Sequence, residues 1–178
     1  MSLRRLRRNC EERLADLPIP NPFGVPALVR NMEAVSGRRI ILIPLPDHMQ
    51  HPDTACGLRV KTPEWSLVLF KRRATEHQTN HTILHELGHE WFDHGGTLTP
   101  EDLHRQMPHL GTRLIARFTS GVAIQARSHY DTVEEREAEV SASLIPLMAR
   151  DRPATDDVLG RLDSSLSRPV AKRRRKRP

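Results

Sequence analysis

Five residues, His85-Glu86-Leu87-Gly88-His89, constrain this chain more than any other stretch. Two histidines at i and i+4 project from the same side of an α-helix, so both imidazoles can meet one metal ion. The pattern therefore calls for a helix here, and its surroundings permit one. Asn80 or Thr79 can cap the start, and the glycine pair Gly95-Gly96 gives a stop. Ile83, Leu84 and Leu87 offer contacts to a core. Gly88 costs about 1 kcal/mol relative to alanine inside a helix, which points to close packing or crowding at that position.

Two imidazole nitrogens and a carboxylate suit one zinc ion, with a fourth position left for water. Glu86 sits beside that position rather than on the metal. As a general base it can take the proton of the water that attacks a carbonyl, and then pass it to the leaving amine. The third ligand is expected from a helix over about 132–149, which contains Glu134-Glu135-Arg136-Glu137-Ala138-Glu139. There Glu135 and Glu139 share a face with Ala138 and Ala142, and the small alanines let the two helices approach closely. Glu135 is the expected ligand, with Glu137 and Glu139 as rivals. Glu139, one turn on, is expected to orient a ligand histidine from behind.

Competing roles exist for several of these residues. Thr132-x-x-Glu135 also reads as a capping box, and Glu134 and Glu137 as first-turn charges that favour the helix dipole. His94, five positions after His89, is rotated off the ligand face of a continuing helix and reads as a solvated helix-end residue. His81, one turn before His85, lines the same side. His129 and Tyr130 just precede the last helix, where either can hydrogen-bond an oxyanion.

The remaining pattern gives helix, small sheet, then helices: an α+β fold. A first amphipathic helix is expected over 2–17 with Leu3, Leu6, Leu14 and Leu17 near one face, and a short one over 25–35 that ends near Gly37. Residues 39–45 read as a strand whose Pro44 marks an edge or an end. Residues 57–62 and 65–71 read as an antiparallel hairpin, whose edge could hold an extended peptide. Thr99-Pro100-Glu101 opens a further helix. One domain is expected over 1–152, followed by a linker and basic tail over 153–178.

The chain has 178 residues and a net charge of +6, and the run Lys172–Arg177 alone supplies that many positive charges. The rest is neutral overall, so any nucleic-acid contact is expected only through the basic tail. With two cysteines, Cys10 and Cys56, no disulfide framework is expected and a reducing cytoplasm is the default. No apolar run reaches the ~20 residues of a membrane span, and the basic-then-acidic start lacks the apolar core of a signal peptide.

With these features together, the sequence resembles the ImmA/IrrE family of metallopeptidase-like proteins over about residues 35–150. The resemblance rests on His81-Thr-Ile-Leu-His-Glu-Leu-Gly-His89 after a hairpin ending in Leu67-Val68-Leu69-Phe70, and on Glu135-Arg136-Glu137-Ala138-Glu139 downstream. It implies a single zincin-like domain with a small antiparallel or mixed sheet of about three strands. It also implies zinc on His85, His89 and Glu135, and Glu86 as general base. The activity it implies is zinc-dependent endopeptidase action on a protein substrate, such as a separately encoded helix-turn-helix repressor. The chain departs from the family at Ser141, where an aromatic is common, and at Glu139, where Asn or Asp is usual. A second expectation is a regulatory or toxin-like binding protein that keeps the zinc site without proteolysis.

Overall fold

A computed structural model describes residues 2–45, 57–61, 64–97, 125–126 and 132–151. Helix α1 (Leu3–Arg13) is capped by Ser2, whose side chain accepts from the Arg5 amide. Its burial begins one turn in, at Leu6 and Cys10, and continues through Leu14 and Leu17 in the turn beyond it. Leu3, expected on that face, is 67% exposed because it lies in the terminal turn, before the packed stripe begins. Helix α2 (Val25–Ser36) carries Pro26 in its first turn and ends at Gly37 in the left-handed conformation, close to the expected bounds.

Three strands follow: β1 (Arg39–Pro44), β2 (Gly57–Lys61) and β3 (Trp65–Phe70). Strands β2 and β3 pair antiparallel, with Leu58 opposite Leu69 and Val60 opposite Leu67. β1 runs parallel to β3, placing Ile41 beside Leu67. Two short strands, β4 (Gly96–Thr97) and β5 (Gln125–Ala126), extend the sheet to five in the order β1-β3-β2-β5-β4. Each is two residues long, too short to show alternation in the sequence. The fold is α+β with a mixed sheet, and β1 with its terminal Pro44 is an edge, as expected. β1 covers β3 along its whole length, whereas β5 meets β2 only at Lys61, opposite Gln125. Among the described residues the expected hairpin edge is therefore closed on the β3 side and only narrowed on the β2 side.

Helix α3 (Glu76–Trp91) begins earlier than Thr79 or Asn80 would have it. Thr75 accepts from the Gln78 amide while the Gln78 side chain accepts from the Thr75 amide, a reciprocal capping box that outcompetes the later polar residues. The helix also ends earlier, at Trp91 rather than at the glycine pair. Asp93 adopts φ 55, the His94 amide donates to the His89 carbonyl (3.0 Å), and the Asp93 amide to that of Glu90 (3.3 Å). These two bonds make a Schellman motif, which folds the residue after the left-handed position back over the last turn.

The last described helix, α4 (Thr132–Asp151), packs along α3. Ala138, Ser141 and Ala142 are fully buried, and a Cβ built on Gly88 would lie 3.2 Å from the Ser141 Cβ and 3.5 Å from the Ala138 Cα. The glycine therefore sets the closeness of the two helices. Gly88→Val is expected to destabilise the fold by about 1–3 kcal/mol through overpacking against the α4 backbone, measured by urea unfolding. The expected helix from Thr99, the residues His129 and Tyr130, Cys56 and the tail from 153 lie outside the described residues. Among the described residues no helix is long and apolar enough to cross a membrane.

Candidate metal centre

The close approach of α3 and α4 brings three expected residues together. His85 Nε2 lies 3.1 Å from His89 Nε2 and 3.3 Å from Glu135 Oε2, and His89 Nε2 lies 3.8 Å from Glu135 Oε1. One ligand atom from each of the three residues falls within 4.8 Å of the others. A tetrahedral zinc ion with bonds of about 2.0–2.1 Å separates its ligand atoms by about 3.4 Å. The donor set and its spacing thus fit such an ion. His89 is buried, while His85 and Glu135 are partly open to solvent on one side.

Glu135 faces the two histidines across the helix interface, as the ligand expectation requires. The side chain of Thr132, the other member of the alternative capping box, lies outside the described residues. Glu139 approaches His85 from behind, 3.5 Å from Nδ1, and its other oxygen lies 3.0 Å from His81 Nε2. His81 thereby joins the same side of the helix through Glu139. Glu86, one residue after His85, is buried on α3.

Two expectations are overturned here. His94 is not a solvated helix-end residue, since only 5% of its surface is exposed. The helix stops at Trp91, and the left-handed Asp93 turns His94 back until its Nδ1 lies 2.9 Å from His89 Nδ1. Glu137 is neither a rival ligand nor a first-turn charge on the helix dipole. It is 6% exposed and lies on another side of α4, where Oε2 meets His94 Nε2 at 2.9 Å. Arg13 from α1 donates Nη1 to the same oxygen (2.7 Å), and Asn9 donates Nδ2 to Glu137 Oε1 (3.0 Å). Arg13 also donates Nη2 to the Phe92 carbonyl and lies over the Phe92 ring, while Trp91 Nε1 donates to the Arg13 carbonyl.

Burial pushes the His94 imidazole below the usual histidine range, and it does so against the opposing pull of Glu134 and Glu137. Burial, with the Glu137 charge nearby, raises the Cys10 thiol. That cysteine is an apolar contact of the α1–α4 interface rather than a reactive group.

A second buried charge cluster stands behind the centre. Glu90 accepts from Arg59 Nη1 (2.7 Å) and the Ser66 hydroxyl (2.9 Å), and Arg38 Nη1 lies 3.7 Å away. Arg59 also donates to the His94 carbonyl, which ties the turn after α3 to the sheet. Gly95 completes that turn at φ 119, where a side chain would be strained and would crowd Arg59.

No protein-family model, no curated protein and no solved structure matches the chain.

Proposed function

We propose that this chain is a zinc-dependent metallo-endopeptidase with a zincin-like domain of the ImmA/IrrE kind. In this reading it hydrolyses a peptide bond in a protein substrate, a helix-turn-helix repressor being the first candidate. The observation that carries the proposal is the convergence of His85 Nε2, His89 Nε2 and the Glu135 carboxylate. His85, His89 and Glu135 would hold the ion. A zinc ion bound there supplies a Lewis acid that polarises a carbonyl and lowers the pKa of water. Glu86 accepts the proton from the attacking water on its carboxylate and delivers it to the leaving amine nitrogen. Glu139 holds His85 from behind, and the buried surroundings of His89 keep that side of the centre dry. A free, buried Cys10 suits a reducing compartment, and the cytoplasm is the proposed location.

Metal analysis tests the first half of the reading. One tightly held zinc per chain is expected, lost on His85→Ala. Co-expression with neighbouring repressor-like proteins tests the second half, and a cleavage product that depends on the intact ligand set is the expected result. A chain that takes up no zinc would overturn the proposal. Zinc uptake with an unaltered biological effect in a cleavage-dead variant would favour a regulatory binding protein that keeps the site.

A further inference from the structure

We propose that His94 is a positioning residue for the metal centre: seated by Glu137 and Arg13, it fixes His89 in the tautomer whose Nε2 carries no proton. The inference rests on the metal-binding reading above, yet it can be read in the metal-free protein too.

The argument follows the protons inward from α1. Arg13 and Asn9 donate to the two oxygens of Glu137, which hold that side chain as an ionised acceptor. A carboxylate has no proton to give, so the 2.9 Å contact with His94 Nε2 makes that nitrogen the donor. Arg13 Nη1 also comes within 3.5 Å of it, but donates along the much shorter 2.7 Å bond to Glu137. In a neutral imidazole the other nitrogen is then an acceptor, and His94 Nδ1 is the atom that meets His89 Nδ1 at 2.9 Å. His89 must therefore carry its proton on Nδ1. Its Nε2 then carries no proton, and this is the atom that lies 3.1 Å from His85 Nε2 and 3.8 Å from Glu135. A ligand histidine needs that state, because a protonated nitrogen cannot bind a metal.

The fold leaves His94 little room to do otherwise. The Schellman turn seats it against His89, Arg59 holds its carbonyl, and Phe92 stacks edge-on against its ring. Arg13 anchors both the carboxylate and the helix end at Phe92, so α1 belongs to the support of the centre although it contributes no ligand.

Histidine-tautomer NMR on the full chain, together with zinc competition against a chromophoric chelator, tests this. In the wild type, His89 should be protonated at Nδ1. His94→Leu fills a similar volume but accepts no hydrogen bond. It should move a large share of the His89 proton to Nε2 and lower zinc affinity about 10–100-fold, with the far-UV spectrum unchanged. His94→Gln offers a carbonyl to His89 and an amide N–H to Glu137, the same polarity as the native ring. It should recover most of both losses, which a purely space-filling role would not predict. A wild-type His89 protonated at Nε2 would overturn the proposal, as would equal zinc affinity and tautomer in the His94→Leu chain. Should His94→Leu fail to fold, the wild-type tautomer and His94→Gln still decide. If the chain holds no zinc while His94→Leu still releases the Nδ1 proton, the tautomer control stands and the metal reading falls.

Discussion

Replacing Glu86 by glutamine is expected to lower peptide-bond hydrolysis by about 10²–10⁴-fold while one zinc per chain is retained. Glutamine keeps the shape of the side chain and its ability to hydrogen-bond, but it cannot take a proton from water at neutral pH. Glu86 lies one residue after His85 and is buried on the same helix, so no larger rearrangement is asked of the fold. The measurement is the rate of substrate loss in parallel with bound metal. The pairing separates chemistry from binding: a loss of both would mean that Glu86 supports the site rather than the reaction. Undiminished cleavage would remove it from the mechanism.

The largest effect on stability is expected at Glu90. This carboxylate and Arg59 are each 5% exposed at the side chain, and the Ser66 hydroxyl and Arg38 lean on the same group. Two charges taken so far from water gain little net stability from each other, but removing one leaves its partner buried without compensation. Glu90→Leu is expected to cost about 3–5 kcal/mol in urea unfolding, a large part of the ~5–15 kcal/mol that holds a typical domain together. Adding Arg59→Met is expected to recover part of that loss, since the second change removes the stranded charge. A double variant as unstable as the sum of the singles would show that the pair is not the source of the effect. Because Arg59 also holds the His94 carbonyl, zinc affinity should fall in Glu90→Leu before the fold is lost.

Much of the site is local, and the local part was legible in the sequence. The spacing of His85 and His89 implied a shared helix face, Gly88 implied a close neighbour, and Ala138 and Ala142 marked the face that approaches. Glu135 followed from that face. The second layer was not legible, for two physical reasons. The turn that seats His94 uses Asp93 at a left-handed position normally marked by glycine, while the visible glycines come two residues later. Read as one continuous helix, the chain carried His94 away from the site. Glu137, for its part, is defined by Arg13, 124 positions away in the sequence, and no periodicity reports such a pairing. The sheet tells the same story. The hairpin was read from its two runs, whereas the parallel partner of β3 and the two-residue strands beside β2 depend on tertiary placement.

The Arg13–Glu137 pair also bears on the order of assembly. It joins the first and last described helices, and the proposed ligand carboxylate, Glu135, enters on that same last helix. On a growing polypeptide the two histidines emerge long before Glu135, so an ion met early finds only half a coordination sphere. Under the proposed metal reading, loading would therefore be a late event that follows the docking of α1 on α4. Occupancy would then report on completed folding, in contrast to small zinc modules where the ion itself nucleates the structure.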